Sequence, residues 1–196
     1  VYKSSLFVPL LVATFCFAYC MSISSLTSTF ARTSGALSAA NAGYAGTALA
    51  VGMIIGKFLI GKMFDKLPFG TSTIVFCVIQ FIACIGFVFV YQFPTPALVL
   101  GLIALDGCAV GATGTVAIPY IVRATYGSKH YSSFYPKFTI VSGATPALCG
   151  FFNNWIQDVT GRLTIVFMLM CVFSVIGIII VGIAQKRNAE MKAQWQ

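Results

Sequence analysis

Six long apolar runs, at residues 5–28, 39–64, 71–91, 97–121, 134–157 and 163–184, constrain this chain more than any other feature. A helix needs roughly 20 mostly apolar residues to cross a bilayer, and each run is long enough. Short polar or Pro/Gly-rich stretches separate them: TSTFARTSG, DKLPFGTS, YQFPTP, RATYGSKHYSS and QDVTGR. The runs are continuous rather than alternating, which argues against transmembrane strands. They also lack the polar outer face that helices of a soluble bundle carry. Only 8% of residues are charged and the mean hydropathy is +0.94, too few charges to cover a water-facing surface of this size. The expected fold is an all-α membrane protein of six transmembrane helices, with the lipid bilayer as its first partner.

The net charge of +8 does not point to nucleic acid, because the basic residues sit between apolar runs rather than on one face with interleaved aromatics. It fits an orientation signal instead. With a cytoplasmic N-terminus, Lys3, Lys62, Lys66, Arg123, Lys129, Lys186, Arg187 and Lys192 fall at the inner side, and only Arg32 and Arg162 outside. A multi-pass protein of the plasma (inner) membrane with both termini cytoplasmic is expected. The seven cysteines lie in apolar runs without a C-x-x-C pair, so they read as small apolar fillers rather than metal ligands or disulfides. Four acids and one loop histidine supply neither a nucleophile–base pair nor a metal cluster, so an enzyme is not expected. No cofactor is implied.

One stretch imitates a phosphate loop. GKFLIGKM, Gly56 to Met63, places Gly56, Gly61 and Lys62 as G-x-x-x-x-G-K-[ST] would. Met63 replaces the hydroxyl that would bind magnesium, and the stretch ends an apolar helix instead of opening one, so no free N–H groups face a phosphate. Extended to GKFLIGKMFDKLPFG, the stretch resembles the inter-helix signature of the major facilitator superfamily. Gly61, Asp65 and Lys66 match it, while Pro68, Phe69 and Gly70 depart from it. The segment YGSKHYSSFYPKFTIVSGATPALCGFFNNWIQDVTGRLTIVFML is similar to the last two helices of carboxylate-transporting members, with Asp158, Thr160 and Gly161 matching Asp-x-Thr-Gly. The oxalate–formate antiporter and monocarboxylate porter branches are the most similar.

That resemblance covers residues 1–196 and implies one half of a twelve-helix fold, the C-terminal six helices, so that a first residue of Val1 fits a piece of a longer chain. The partner would be an N-terminal six-helix half, in the same chain or as a paired subunit. The function implied is secondary transport of a small organic anion, a mono- or dicarboxylate, by alternating access as antiport or proton symport. The alternative is a non-transporting membrane sensor or interaction subunit with a degenerate carrier fold.

Candidate residues follow from what a bilayer tolerates. Asp106 lies within the fourth run, where a carboxylate must pair, protonate or face water; it is a proton-coupling or substrate-contacting candidate, with a structural ion pair or a hydrogen bond to neighbouring backbone as the other reading. Lys57 lies about 12 Å along its helix from Asp65. By resemblance it matches a position where carboxylate carriers often place an anion-binding Arg; the other reading is a lysine snorkelling to the headgroups. Asp106 and Lys57 differ in depth by about 9 Å, so a direct ion pair is not expected. Lys137 opens the fifth run, either as an interfacial charge or as a cavity lysine; the branch's matching stretch falls a turn later, near Val141 and Ser142. Tyr19 and Tyr44 are further cavity candidates. Gly61, Asp65 and Lys66 are implied to form a conformational latch. Gly43, Gly46, Gly52, Gly56 and Gly61 stud the second run, and Gly107 and Gly111 repeat the G-x-x-x-G spacing of Gly52 and Gly56 in the fourth, which predicts close helix approach, static or sliding.

Overall fold

The computed structural model describes residues 6–193, with side chains through residue 188. Lys3, the opening residue of the first expected span and the side chain of Lys192 lie outside the described residues. Among the described residues the chain is helical with no strand, and five helical stretches are long and apolar enough to cross a membrane. Many large apolar side chains, such as Ile54, Phe58, Leu148 and Phe151, are more than half exposed on the isolated chain. Lipid or another apolar surface must cover them. This is an all-α membrane protein.

The first rod is interrupted. Helix α1, Phe7–Met21, passes into a 3-10 turn, Ser22–Ser25, and the chain resumes as α2, Thr27–Thr33. The cause is local. Ser22, Ser24, Ser25 and Thr27 each donate their hydroxyl to the carbonyl three residues back, over 2.6–3.2 Å. Such back-bonding competes with the helical ladder, and the turn tightens to the 3-10 form.

Helices α3, Gly43–Phe64, and α4, Phe69–Val90, meet at Pro68. Its φ of −56° and ψ of 145° are extended, and it has no N–H to continue a helix. Helix α5, Pro96–Val110, starts on a proline, whose missing N–H is an orphan in any first turn. It runs into a π-helical segment, Gly111–Ala117, GATGTVA. Two glycines weaken the helix there, and Thr113 and Thr115 bond the carbonyls of Ala109 and Gly111 at 2.9 and 2.6 Å.

Helix α6, Ile118–Thr160, continues from it, so the chain runs 65 residues from Pro96 to Thr160 with one non-helical residue inside α6, Gly127. A straight rod of that length would measure about 98 Å, three times the hydrocarbon core. It folds back instead at Gly127, whose φ of 71° and ψ of 167° are non-helical and open essentially to glycine alone. The two arms pack antiparallel: Tyr126 stacks on Phe134 with centroids 4.3 Å apart, and Ile118, Ile121 and Val122 share a small cavity with Phe138. The sequence predicts a loop over 122–133. The structure keeps helix up to residue 126 and again from 128, because this stacking holds both arms to the turn. Gly161, at φ 70°, ends α6 in left-handed geometry, its N–H bonding the Gln157 carbonyl at 2.7 Å, a glycine C-cap. The Asp158-x-Thr160-Gly161 motif is therefore a helix stop. Helix α7, Thr164–Ala193, closes the bundle.

The glycine faces meet each other. A Cβ on Gly52 or Gly56 would strike the backbone of Ala104 or Cys108 in α5, and one on Gly107 would strike the Leu49 carbonyl of α3. On Gly111 it would come within 2.6 Å of the Met53 carbonyl oxygen. The two G-x-x-x-G stretches are thus two sides of one interlocked α3–α5 contact. Gly43, Gly46 and Gly61 have nothing within 4 Å of such a Cβ.

The ends of the bundle differ in charge. Tyr120 stacks on Phe64 at 4.0 Å, and Leu67, Ala124 and Asn188 line one hollow. This end gathers Lys62, Lys66, Arg123, Lys129, Lys186 and Arg187. At the other end Phe30, Phe87 and Phe167 form an aromatic knot with centroids 4.9–5.0 Å apart, and Arg162 lies over the Tyr91 ring.

Candidate functional site

Two cavities open along the folded-back face of α6. The larger, about 420 Å³, lies at the basic end and is lined by Val116, Pro119, Tyr120, Arg123, Ser128 and Tyr131. The second, about 240 Å³, lies deeper, between the end of α1, the π-helical segment and the second arm of α6; Met21, Thr115, Tyr135, Thr139 and Ser142 are among its walls. Pro119 lines both, so the two adjoin along one face as a two-chambered groove. Its polar groups are hydroxyls plus a single charged side chain, Arg123, at its mouth.

Three sequence irregularities shape this groove. The serine run ends α1 beside Met21, the GATGTVA stretch relaxes to π geometry at Gly114 and Thr115, and Gly127 turns the second arm back onto the first. Gly114 admits the Met21 side chain, which a Cβ there would strike. Irregular backbone at membrane depth is tolerated where it is buried or borders a cavity, and this backbone borders one. Thr139 and Ser142 bond carbonyls of their own helix, Tyr135 and Thr139, at 3.1 Å. With their protons committed, these two hydroxyl oxygens can only accept from a guest.

The candidates from sequence do not converge on this groove. Lys57 is exposed on α3, next to the locked Gly56. Lys137 is half-buried with its ammonium 5.4 Å from the Phe134 ring centroid, a cation–π placement. Tyr19 is buried and donates to Asn153 Oδ1 at 3.0 Å, while Asn153 Nδ2 donates to Ser22 Oγ at 2.7 Å. That chain of bonds ties the broken end of α1 to the second arm of α6. Tyr44 is 61% exposed at the start of α3. Asp106 is fully buried between α4 and α5, where Gln80 Nε2 donates to its Oδ1. It makes no contact with Lys57; its partner is an amide. Asp65 and Lys66 are exposed and share a shallow hollow of about 540 Å³ with Leu59, Lys62 and Leu67, one turn beyond Gly61.

The groove residues that sequence reasoning passed over are Arg123, Thr115 and Thr139, while Tyr120, Tyr131 and Tyr135, which read in sequence as interfacial-belt aromatics, line the cavities. Arg123 reads in sequence as one more inner-boundary charge, and only the turn at Gly127 brings Ser128 and Tyr131 to it. Ser142 carried a signal only through the resemblance, which puts a cavity position of the carboxylate branch near it. Among the described residues no three His, Cys, Asp or Glu side chains come together as metal ligands. No family model matches the chain, and no curated protein matches it significantly.

Proposed function

We propose that this chain is the C-terminal six-helix half of a major facilitator carrier that moves a small organic anion, a mono- or dicarboxylate, by alternating access. The observation that carries this reading is the groove: a cavity lined by hydroxyls, with one arginine at its mouth, built where helices lose regular geometry. Carriers place substrate sites beside broken membrane helices. Arginine offers a planar fork that matches a carboxylate, and the hydroxyls of Ser128, Tyr131 and Tyr135, which line the two cavities, would donate to its oxygens. The N-terminal half would supply the opposite wall and cover part of the exposed apolar surface. The basic end would face the cytoplasm, in the plasma (inner) membrane, and Asp65 and Lys66 at that end would act as the latch implied by the resemblance. Exchange or proton symport would drive the cycle.

The test is counterflow of labelled mono- and dicarboxylates into proteoliposomes holding the chain with its N-terminal half. Saturable uptake, stimulated by unlabelled carboxylate on the opposite side, is expected. If no carboxylate is taken up or bound, the substrate class falls. Binding without uptake would move the chain to the non-transporting sensor class.

A further inference from the structure

Asp106 is fully buried, and its surroundings contain a shortage that one proton would remove. Gln80 Nε2 donates to Asp106 Oδ1 and, over 3.5 Å, to Cys84 Sγ. That uses both amide hydrogens. Two oxygens are then left without a donor in the same pocket, Asp106 Oδ2 and Gln80 Oε1. Gln80 is itself only 3% exposed, so water does not serve these atoms freely. The titratable neighbours are Cys20 and Cys84, on α1 and α4. Cys20 faces Ser174 Oγ of α7 at 3.7 Å. No lysine, arginine or histidine among the described residues contacts Asp106.

Two arrangements are open to such a carboxyl. Ionised, it would hold a full charge at membrane depth with one oxygen bare and no cation beside it, among the most unfavourable placements a protein can make. Protonated, its Oδ2–H becomes a donor, and Gln80, already bonded to Asp106 through Nε2, carries an oxygen in want of one, Oε1. A carboxylic acid and a primary amide then form a closed ring of two hydrogen bonds, Nε2–H to Oδ1 and Oδ2–H to Oε1. One proton satisfies both orphaned oxygens.

We infer that Asp106 and Gln80 form a buried proton-binding site, in which Asp106 is a neutral acid held in a two-hydrogen-bond ring with the Gln80 amide, clamping α5 to α4. Asp106 then holds a proton rather than substrate.

The test is infrared spectroscopy of the protein in lipid at neutral pH, with the carboxyl carbon of aspartate isotopically labelled in this chain alone and the proposed N-terminal half left unlabelled. The chain has three aspartates, and Asp65 and Asp158 are exposed. A label-shifted carbonyl band of protonated carboxyl is expected, and it is lost in Asp106→Asn. That variant should stay folded, because an asparagine amide reproduces both bonds of the ring. In Gln80→Leu the band should persist and move to higher frequency as the acid loses its acceptor. Because the other two aspartates face water, the band in the native chain decides the protonation state even where a variant fails to fold. Absence of the band from native protein, or its appearance only when sodium is withdrawn, overturns the inference. A band unmoved by Gln80→Leu overturns the ring.

Discussion

The α3–α5 contact and the groove face of α6 are both rich in small residues, yet they are opposite kinds of surface. On α3 and α5 the glycines fall on regular helical spacing, the backbones interlock, and the contact leaves no space for one carbon. On the groove side the glycines and hydroxyls interrupt the helices, and the lost regularity leaves cavities of about 420 and 240 Å³. The lesson is that small residues in register close a helix pair, while small residues mixed with hydroxyls that bond their own backbone open one. The proposed carrier would use both, a rigid body and a wall that can take a guest.

The contrast is broken most strongly by filling the rigid side. Gly56→Leu puts a branched chain into the Cys108 backbone, which cannot yield as a flexible side chain would. The expected cost is about 3 kcal/mol or more, read as loss of monodisperse protein or a large fall in thermal midpoint. Gly46→Ala lies on the same helix with open space and supplies the control at the other end of the scale.

Next in size is the groove's cation. Arg123→Ala removes a charge from an exposed mouth and should leave folding intact, while carboxylate affinity falls about 10-fold to 100-fold, as loss of a charge-assisted hydrogen bond worth roughly 1.5–3 kcal/mol implies. The check is the KM of uptake in proteoliposomes, beside an unchanged melting curve.

The broken helices come third. Tyr19→Phe removes the donor to buried Asn153 Oδ1 and should cost about 1–3 kcal/mol, the usual penalty for an orphaned buried acceptor. Gly127→Ala forces a side chain into left-handed space and should cost about 1–3 kcal/mol, measured as an earlier denaturation of the α6 hairpin. The smallest effect belongs to Gly46→Ala, which should stabilise by about 0.5–1 kcal/mol from helix propensity alone.

Much of the fold was legible because the bilayer imposes a length and a composition on every crossing segment. The runs at 39–64 and 71–91 carry helices Gly43–Phe64 and Phe69–Val90, with Pro68 between them. Breaks were less legible. The serine run after Met21 is visible in the sequence, but it reads as ordinary membrane-helix polarity until four hydroxyls are seen bonding their own carbonyls. The stretch RATYGSKHYSS reads as a loop because its residues are polar; stacking of Tyr126 on Phe134 keeps nearly all of it helical and leaves the reversal to Gly127. The G-x-x-x-G spacings announce close packing without naming a partner, and only the structure pairs them. The site was the least legible part. Lys57 and Asp106 stand out because charge in an apolar run is rare, yet one is exposed on α3 and the other is sealed against Gln80. Arg123 does not stand out, because an arginine at a helix end is what any inner boundary contains.

The most direct measurement is a paired KM determination for carboxylate uptake with Arg123→Ala and Lys57→Ala, each reconstituted with the proposed N-terminal half. The groove account expects KM to rise about 10-fold or more in Arg123→Ala, with Lys57→Ala near native. A raised KM in Lys57→Ala with Arg123→Ala unchanged would place the anion on α3 and contradict it.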